Sequence, residues 1–199
     1  MTDIYLSLAC AYANLFMGAD MDRCMDVVQE LNTTLRNDYI CFDVYYNQGA
    51  ARLVAGRLDE ARELLYESVK LCRMLKVGGL RYAMALQKLA FALAFLGYAE
   101  ATDITAQLKS YLRCNGLHES HNITVINASV NVLEYIAVNP NYLQSEDYCN
   151  LLRECYDYAT KTEHKGQEMF FGRFLVDAYK ACRKYKKALE ISEKIRLSF

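Results

Sequence analysis

The stretch from Asp43 to Leu75, DVYYNQGAARLVAGRLDEARELLYESVKLCRML, sets the terms for the rest of the chain. Apolar or small residues recur three and four apart through Tyr45, Gly49, Ala50 and Leu53, the spacing of one helical face. Gly56 interrupts, and a second amphipathic run follows through Leu58, Ala61, Leu64, Leu65, Ser68, Val69 and Cys72. Two helices joined by so short a turn must lie antiparallel. Gly49 and Ala61 are small where such helices cross closely. Helical hairpins that tile make solenoids, because each covers the apolar side of the one before.

The rest of the chain offers little to break helices. Pro140 is the one proline, and glycines number nine in 199 residues. That predicts an all-helical protein with short connections. Apolar residues make up 53 % of the chain, enough for a core without cross-links. The formal charge of -1 argues against a general polyanion binder. Eight cysteines, at 10, 24, 41, 72, 114, 149, 155 and 182, form no C-x-x-C pair. They read as reduced thiols on small-residue helix faces, which implies the cytosol or nucleus. The opening MTDIYLSLACAYANLF carries Asp3 and no basic segment, so it reads as a helix and not as a signal peptide. No run of 18 uncharged apolar residues exists, so no membrane span is expected.

Taken in order, the pattern gives about five hairpins in one domain spanning 1–199, at about 3–35, 39–75, 78–113, 118–160 and 166–196. Asp20 is the expected cap of the second helix. The first helix of the third hairpin, LRYAMALQKLAFALAFLG, is apolar almost all round. Asn139-Pro140-Asn141 is the clearest break, and Ser145 with Glu146 begins the helix after it. The chain stops on Arg196-Leu197-Ser198-Phe199 without a polar capping helix. The expectation is a piece of a longer protein, or an end docked on another domain.

With Gly49, Gly56, Ala61 and Leu65 in place, the second hairpin resembles a tetratricopeptide (TPR) repeat. The last segment, VDAYKACRKYKKALEISEKI, is similar through Val176, Tyr179, Tyr185, Ala188, Leu189 and Ile191, with Arg183 where glycine is usual. Neither repeat has the family's early tryptophan. The resemblance implies a right-handed α-α superhelix, a TPR-like solenoid. Gly56 and Gly97, each at a turn, stand forty-one residues apart, so the period is near 40 and longer than the ordinary 34. Residues 42–113 are in this respect similar to the superhelical sensor region of MalT-like transcription activators, which implies a part in transcription regulation.

A fold of this kind does not name a task. The resemblance implies a concave wall lined by first helices. Its positions would be Asp43, Tyr46 and Asn47 in the second hairpin, Gln87 in the third, and Phe170, Arg173 and Asp177 in the last. Asn127 and Asn131, with Thr124 and Glu134, form a polar strip in a helix where asparagine is a poor fit. A strip of amides is suited to a partner's backbone. Asn47 and Arg173 match carboxylate-clamp positions, but they lie in distant hairpins and the intervening lysines are missing. The basic end, Arg183 to Arg196, reads as a solvated helix face more than a nucleic-acid contact.

The expected function is a non-catalytic scaffold binding a peptide or protein partner in a groove. The alternatives are an effector-sensing or oligomerisation region of a transcription regulator, and a structural subunit with an apolar patch across residues 4–16. Other domains of the same polypeptide, or further copies of the chain, are the remaining partners. No catalytic motif is present: no H-E-x-x-H, P-loop or G-x-S-x-G. His118 and His121 lack a third ligand nearby, so no metal or cofactor is expected.

Overall fold

In a computed structural model, which describes residues 1–14, 18–115 and 121–197, the protein is all-α. Ten α-helices and no strand occur among the described residues. They are α1 (Thr2–Asn14), α2 (Gly18–Leu35), α3 (Asp38–Val54), α4 (Leu58–Met74), α5 (Gly79–Phe95), α6 (Glu100–Cys114), α7 (His121–Val138), α8 (Glu146–Lys161), α9 (Lys165–Ala181) and α10 (Tyr185–Leu197). The chain divides into two compact units, Met1–Leu96 and Gly97–Phe199. The division falls between α5 and α6, inside the third expected hairpin. Among the described residues no helix is long and apolar enough to cross a membrane.

In the first unit each helix packs on the next, and α1 also meets α3 as α3 meets α5. The α3–α4 hairpin is the tightest. Gly49 and Ala61 are buried, and a Cβ built on Gly49 would stand 2.7 Å from Leu65 Cγ. The absent side chain is what lets the two backbones approach. Arg52 Nη2 donates to both carboxylate oxygens of Asp22 at 2.6 Å, tying α3 to α2. Asn32 fixes the corner between α2 and α3. Its amide donates to Asn37 O at 3.0 Å, and its Oδ1 accepts from Asn37 N–H at 2.9 Å. Helix α2 begins at Gly18, so Asp20 lies inside its first turn, paired with Arg23, and is not its cap. Asp20 there still faces the helix's positive end.

In the second unit α6, α7, α8, α9 and α10 pack in sequence. Ser145 caps α8 as expected, its hydroxyl accepting from Asp147 N–H at 3.2 Å. Tyr135 of α7 reaches the same hydroxyl at 2.6 Å, joining the two helices across the proline break. Gly172 lies between α8 and α10. A Cβ there would meet Ile195 Cδ1 at 2.5 Å and Tyr156 Cε2 at 3.0 Å.

The turns share one construction. Gly56 and Gly97 have φ of 78° and 75°, and Arg183 takes the same left-handed backbone at 59°. After α3, Gly56 N–H donates to Leu53 O and Arg57 N–H to Arg52 O. After α9, Arg183 N–H donates to Lys180 O and Lys184 N–H to Tyr179 O. This is the Schellman closure of a helix end, built with glycine at 56 and arginine at 183, and repeated with Lys76 after α4 and Glu163 after α8.

Candidate functional site

Helix α7 decides where the second unit can bind anything. Ile123, Val125, Ile126, Val130, Val132, Leu133 and Ile136 are buried. Thr124, Asn127, Asn131 and Glu134 are left exposed along one stripe. Beside it an open cleft of about 380 Å³ runs between α6, α7 and α8. Lys109 and Arg113 of α6 form one wall, Thr124, Asn127 and Asn131 the floor, and Glu154 and Tyr158 of α8 the other wall. Lys109 is drawn to Glu134 in an ion pair between α6 and α7. Among the described residues no hydrogen bond or ion pair engages the side chains of Arg113, Asn127, Asn131 or Glu154. Among the described residues the cleft therefore presents one cation, two carboxamides and one carboxylate without a partner.

The first unit has a cleft of about 410 Å³ between α2 and α3, lined by Gln29, Asn32, Arg36, Asp38, Cys41 and Tyr45 among others. Its central amide is already used. Asn32 bonds to Asn37 and donates to Cys41 Sγ at 3.1 Å. That arrangement holds the corner together and leaves less for a ligand to replace.

The other expected groove residues are mostly engaged within the protein. Gln87 is fully buried, because α5 is covered at every residue from 85 to 93, so it is not a groove residue. Phe170, 2 % exposed, is core, edge-on to Phe171 at 5.0 Å and Phe174 at 4.9 Å. Both expectations are corrected by burial. Asn47 donates its amide to Asp43 O one turn back at 2.8 Å. Tyr46 stacks on Phe42 with centroids 6.0 Å apart. Asp43 stands 3.5 Å from Arg81, whose guanidinium also lies over the Phe42 ring. Burial pushes the Asp43 carboxyl up, Arg81 pulls it back, and Asp3 adds to the rise. Arg173 and Asp177 pair with each other along α9 at 3.5 Å.

Of the nine candidates, only Asn127 and Asn131 are brought together on an open cleft with their amides unengaged. Lys109, Arg113, Glu154 and Tyr158 were not singled out by sequence. The available signal was that each wall carries an i,i+4 polar pair, 109 with 113 and 154 with 158. His118 lies outside the described residues, while His164 caps α9, its Nδ1 accepting from Gln167 N–H at 3.2 Å. Among the described residues no group of three His, Cys, Asp or Glu is placed to hold a metal ion. No family model, curated protein or solved structure matches the chain.

Proposed function

We propose that the chain is a non-catalytic interaction scaffold, a TPR-like right-handed helical solenoid that holds a peptide segment of a protein partner in the α6–α7–α8 cleft. The observation that carries this reading is the pair of unengaged carboxamides, Asn127 and Asn131, on the floor of that cleft. A carboxamide donates and accepts in one plane, as a peptide group does. Four residues along a helix advance about 6 Å. Two residues along an extended strand advance about 6.6 Å. Alternate peptide units of an extended segment thus fall in register with the two asparagines. Arg113 on one side suits an acidic side chain, and Glu154 on the other suits a basic one. The repeat reading draws support from the odd-numbered helices of the first unit, which contact one another as stacked hairpins require. The setting is the cytosol or nucleus, where the seven described free thiols stay reduced.

The test is a peptide-library selection on the immobilised whole chain, repeated with N127A/N131A. Both positions are exposed, so the variant should melt as the parent does. Selected peptides should be extended, mixed in charge and at least about tenfold weaker on the variant, the loss of one or two hydrogen bonds. Peptides that bind the variant equally well would overturn the reading.

One observation favours the structural-subunit alternative. On α1, Ile4 is 68 % and Leu8 40 % exposed, one turn apart, within the stretch expected to carry an apolar patch. Docking through α1 predicts that I4E/L8E changes the mass of the species in solution. A binding cleft in the second unit predicts no such change.

A further inference from the structure

The sulfur atoms of Cys149 and Cys182 stand 3.6 Å apart, although thirty-three residues separate them in sequence. Cys149 lies in the first turn of α8 and is fully buried. Cys182 ends α9 and is half-buried. The Cys149 S–H donates to Cys182 Sγ, and the Cys182 S–H points to Ser145 O at 3.6 Å and Leu143 O at 3.8 Å. The Schellman closure at Arg183 and the Ser145 cap fix the two backbones that carry these thiols. Lys184, paired with Glu146, closes the same corner from the α9–α10 turn. Both cysteines are free, and a disulfide needs the sulfurs to close from 3.6 Å to about 2.05 Å.

We propose that Cys149 and Cys182 form a redox modification site, a dithiol converted reversibly to a disulfide by hydroperoxides. The two thiols divide the chemistry by access. Cys182, reachable from solvent, loses its proton to water and attacks one peroxide oxygen. The O–O bond breaks, hydroxide leaves, and Cys182 becomes a sulfenic acid. Cys149 then attacks that sulfur. The S–O bond breaks, the S–S bond forms, and the Cys149 proton leaves with the hydroxyl as water. Two thiols and one hydrogen peroxide give one disulfide and two waters. The sulfurs are oxidised and the peroxide oxygens reduced. Burial, then the contact with Cys182, pushes the Cys149 thiol up; its burial keeps it from peroxide in the first step, and in the second its proton must pass to the departing hydroxyl as the S–S bond forms. A cytosolic thiol pair this close is of the regulatory kind more than the structural kind. The bond would tie the start of α8 to the end of α9 and leave the cleft residues Glu154 and Tyr158 chemically untouched.

The experiment treats the whole chain with hydrogen peroxide under native conditions, then maps peptides without reduction. The expected product is one cross-linked pair, 149 with 182, lacking two hydrogens and restored by dithiothreitol. The melting temperature should rise by roughly 5–10 °C on oxidation, from closure of a long loop. C149A should stop the reaction at a Cys182 sulfenic acid, trapped by dimedone. C182A should leave Cys149 reduced. Circular dichroism on both variants separates misfolding from chemistry, and the unsubstituted chain decides the question without them. Cys149 and Cys182 both reduced, or either joined to another cysteine while the fold is intact, would overturn the proposal.

Discussion

Gly49 and Leu65 face each other at the α3–α4 crossing with no room for one more carbon: a Cβ on Gly49 would lie 2.7 Å from Leu65 Cγ and 3.3 Å from Leu64 Cβ. The nearest atom is the branch point of Leu65, which cannot swing aside as a side-chain tip can. The helices must therefore separate if alanine replaces the glycine. Overpacking of this kind costs about 1–3 kcal/mol, partly offset by about 1 kcal/mol of better helix propensity. G49A should lose about 1–2 kcal/mol by urea denaturation. At Gly172 a Cβ would meet the Ile195 tip at 2.5 Å and also the Tyr156 ring edge at 3.0 Å, so G172A should lose about as much. A neutral G49A would mean that the crossing is looser than described.

Arg183 holds a left-handed backbone, φ 59°, at the turn where the second hairpin has Gly56. A residue with a Cβ pays about 1 kcal/mol for this conformation. R183G should therefore stabilise the chain by about 0.5–1 kcal/mol, after allowance for the freer unfolded glycine. The reverse change isolates the backbone cost, because a Cβ at Gly56 meets nothing within 4 Å. G56A should lose about 1 kcal/mol. Thermal melts of the two variants, shifting in opposite directions, check both.

Burial pushes the Cys72 thiol up to about 11, with Arg81 opposing and Asp43 adding. Cys149 is pushed up to about 12. A thiol unfolded in water titrates near about 8.5. Between these values the folded chain keeps protons that the unfolded chain gives up. Stability from this source is whole below about pH 8.5 and declines as pH rises through the folded values. Urea midpoints should fall from pH 8.5 upward, and more shallowly in C72A. At pH 8 a maleimide should reach exposed Cys114 first, with Cys72 and Cys149 labelled only on unfolding. Early labelling of Cys72 would contradict its burial.

Asn32 holds the α2–α3 corner through Asn37 and Cys41. N32A removes the partners of the exposed Asn37 backbone, which water can replace, and should cost about 1 kcal/mol. N32D keeps the acceptor for Asn37 N–H and loses only the donors. It should cost less than N32A near neutral pH, and equal losses would contradict that division of roles.

The helices were legible because their signals are local. Period, glycine at Gly56 and Gly97, and Ser145 before an acidic turn placed their ends within a few residues. Arg183 shows how a turn survives without its usual glycine: the hydrogen bonds of the helix end hold the arginine in place. The site was less legible. Asn127 and Asn131 stood out because asparagine needs a reason in mid-helix. Gln87 and Phe170 were misread because repeat register says which face a residue is on, not what covers that face. Arg113 and Glu154 look like ordinary surface charges in sequence. Their meeting at one cleft depends on the packing of α6, α7 and α8, which no local pattern encodes.

Whether a partner's peptide lies on Asn127 and Asn131 can be read by cross-linking. The most direct measurement places a photo-cross-linking residue at position 127 and, separately, at exposed position 190 on α10, in cells that make the chain. The expected result is an adduct to one partner from 127, greatly reduced by R113E, and none from 190. An adduct from 190 but not 127, or one from 127 unaffected by R113E and N131A, would contradict it.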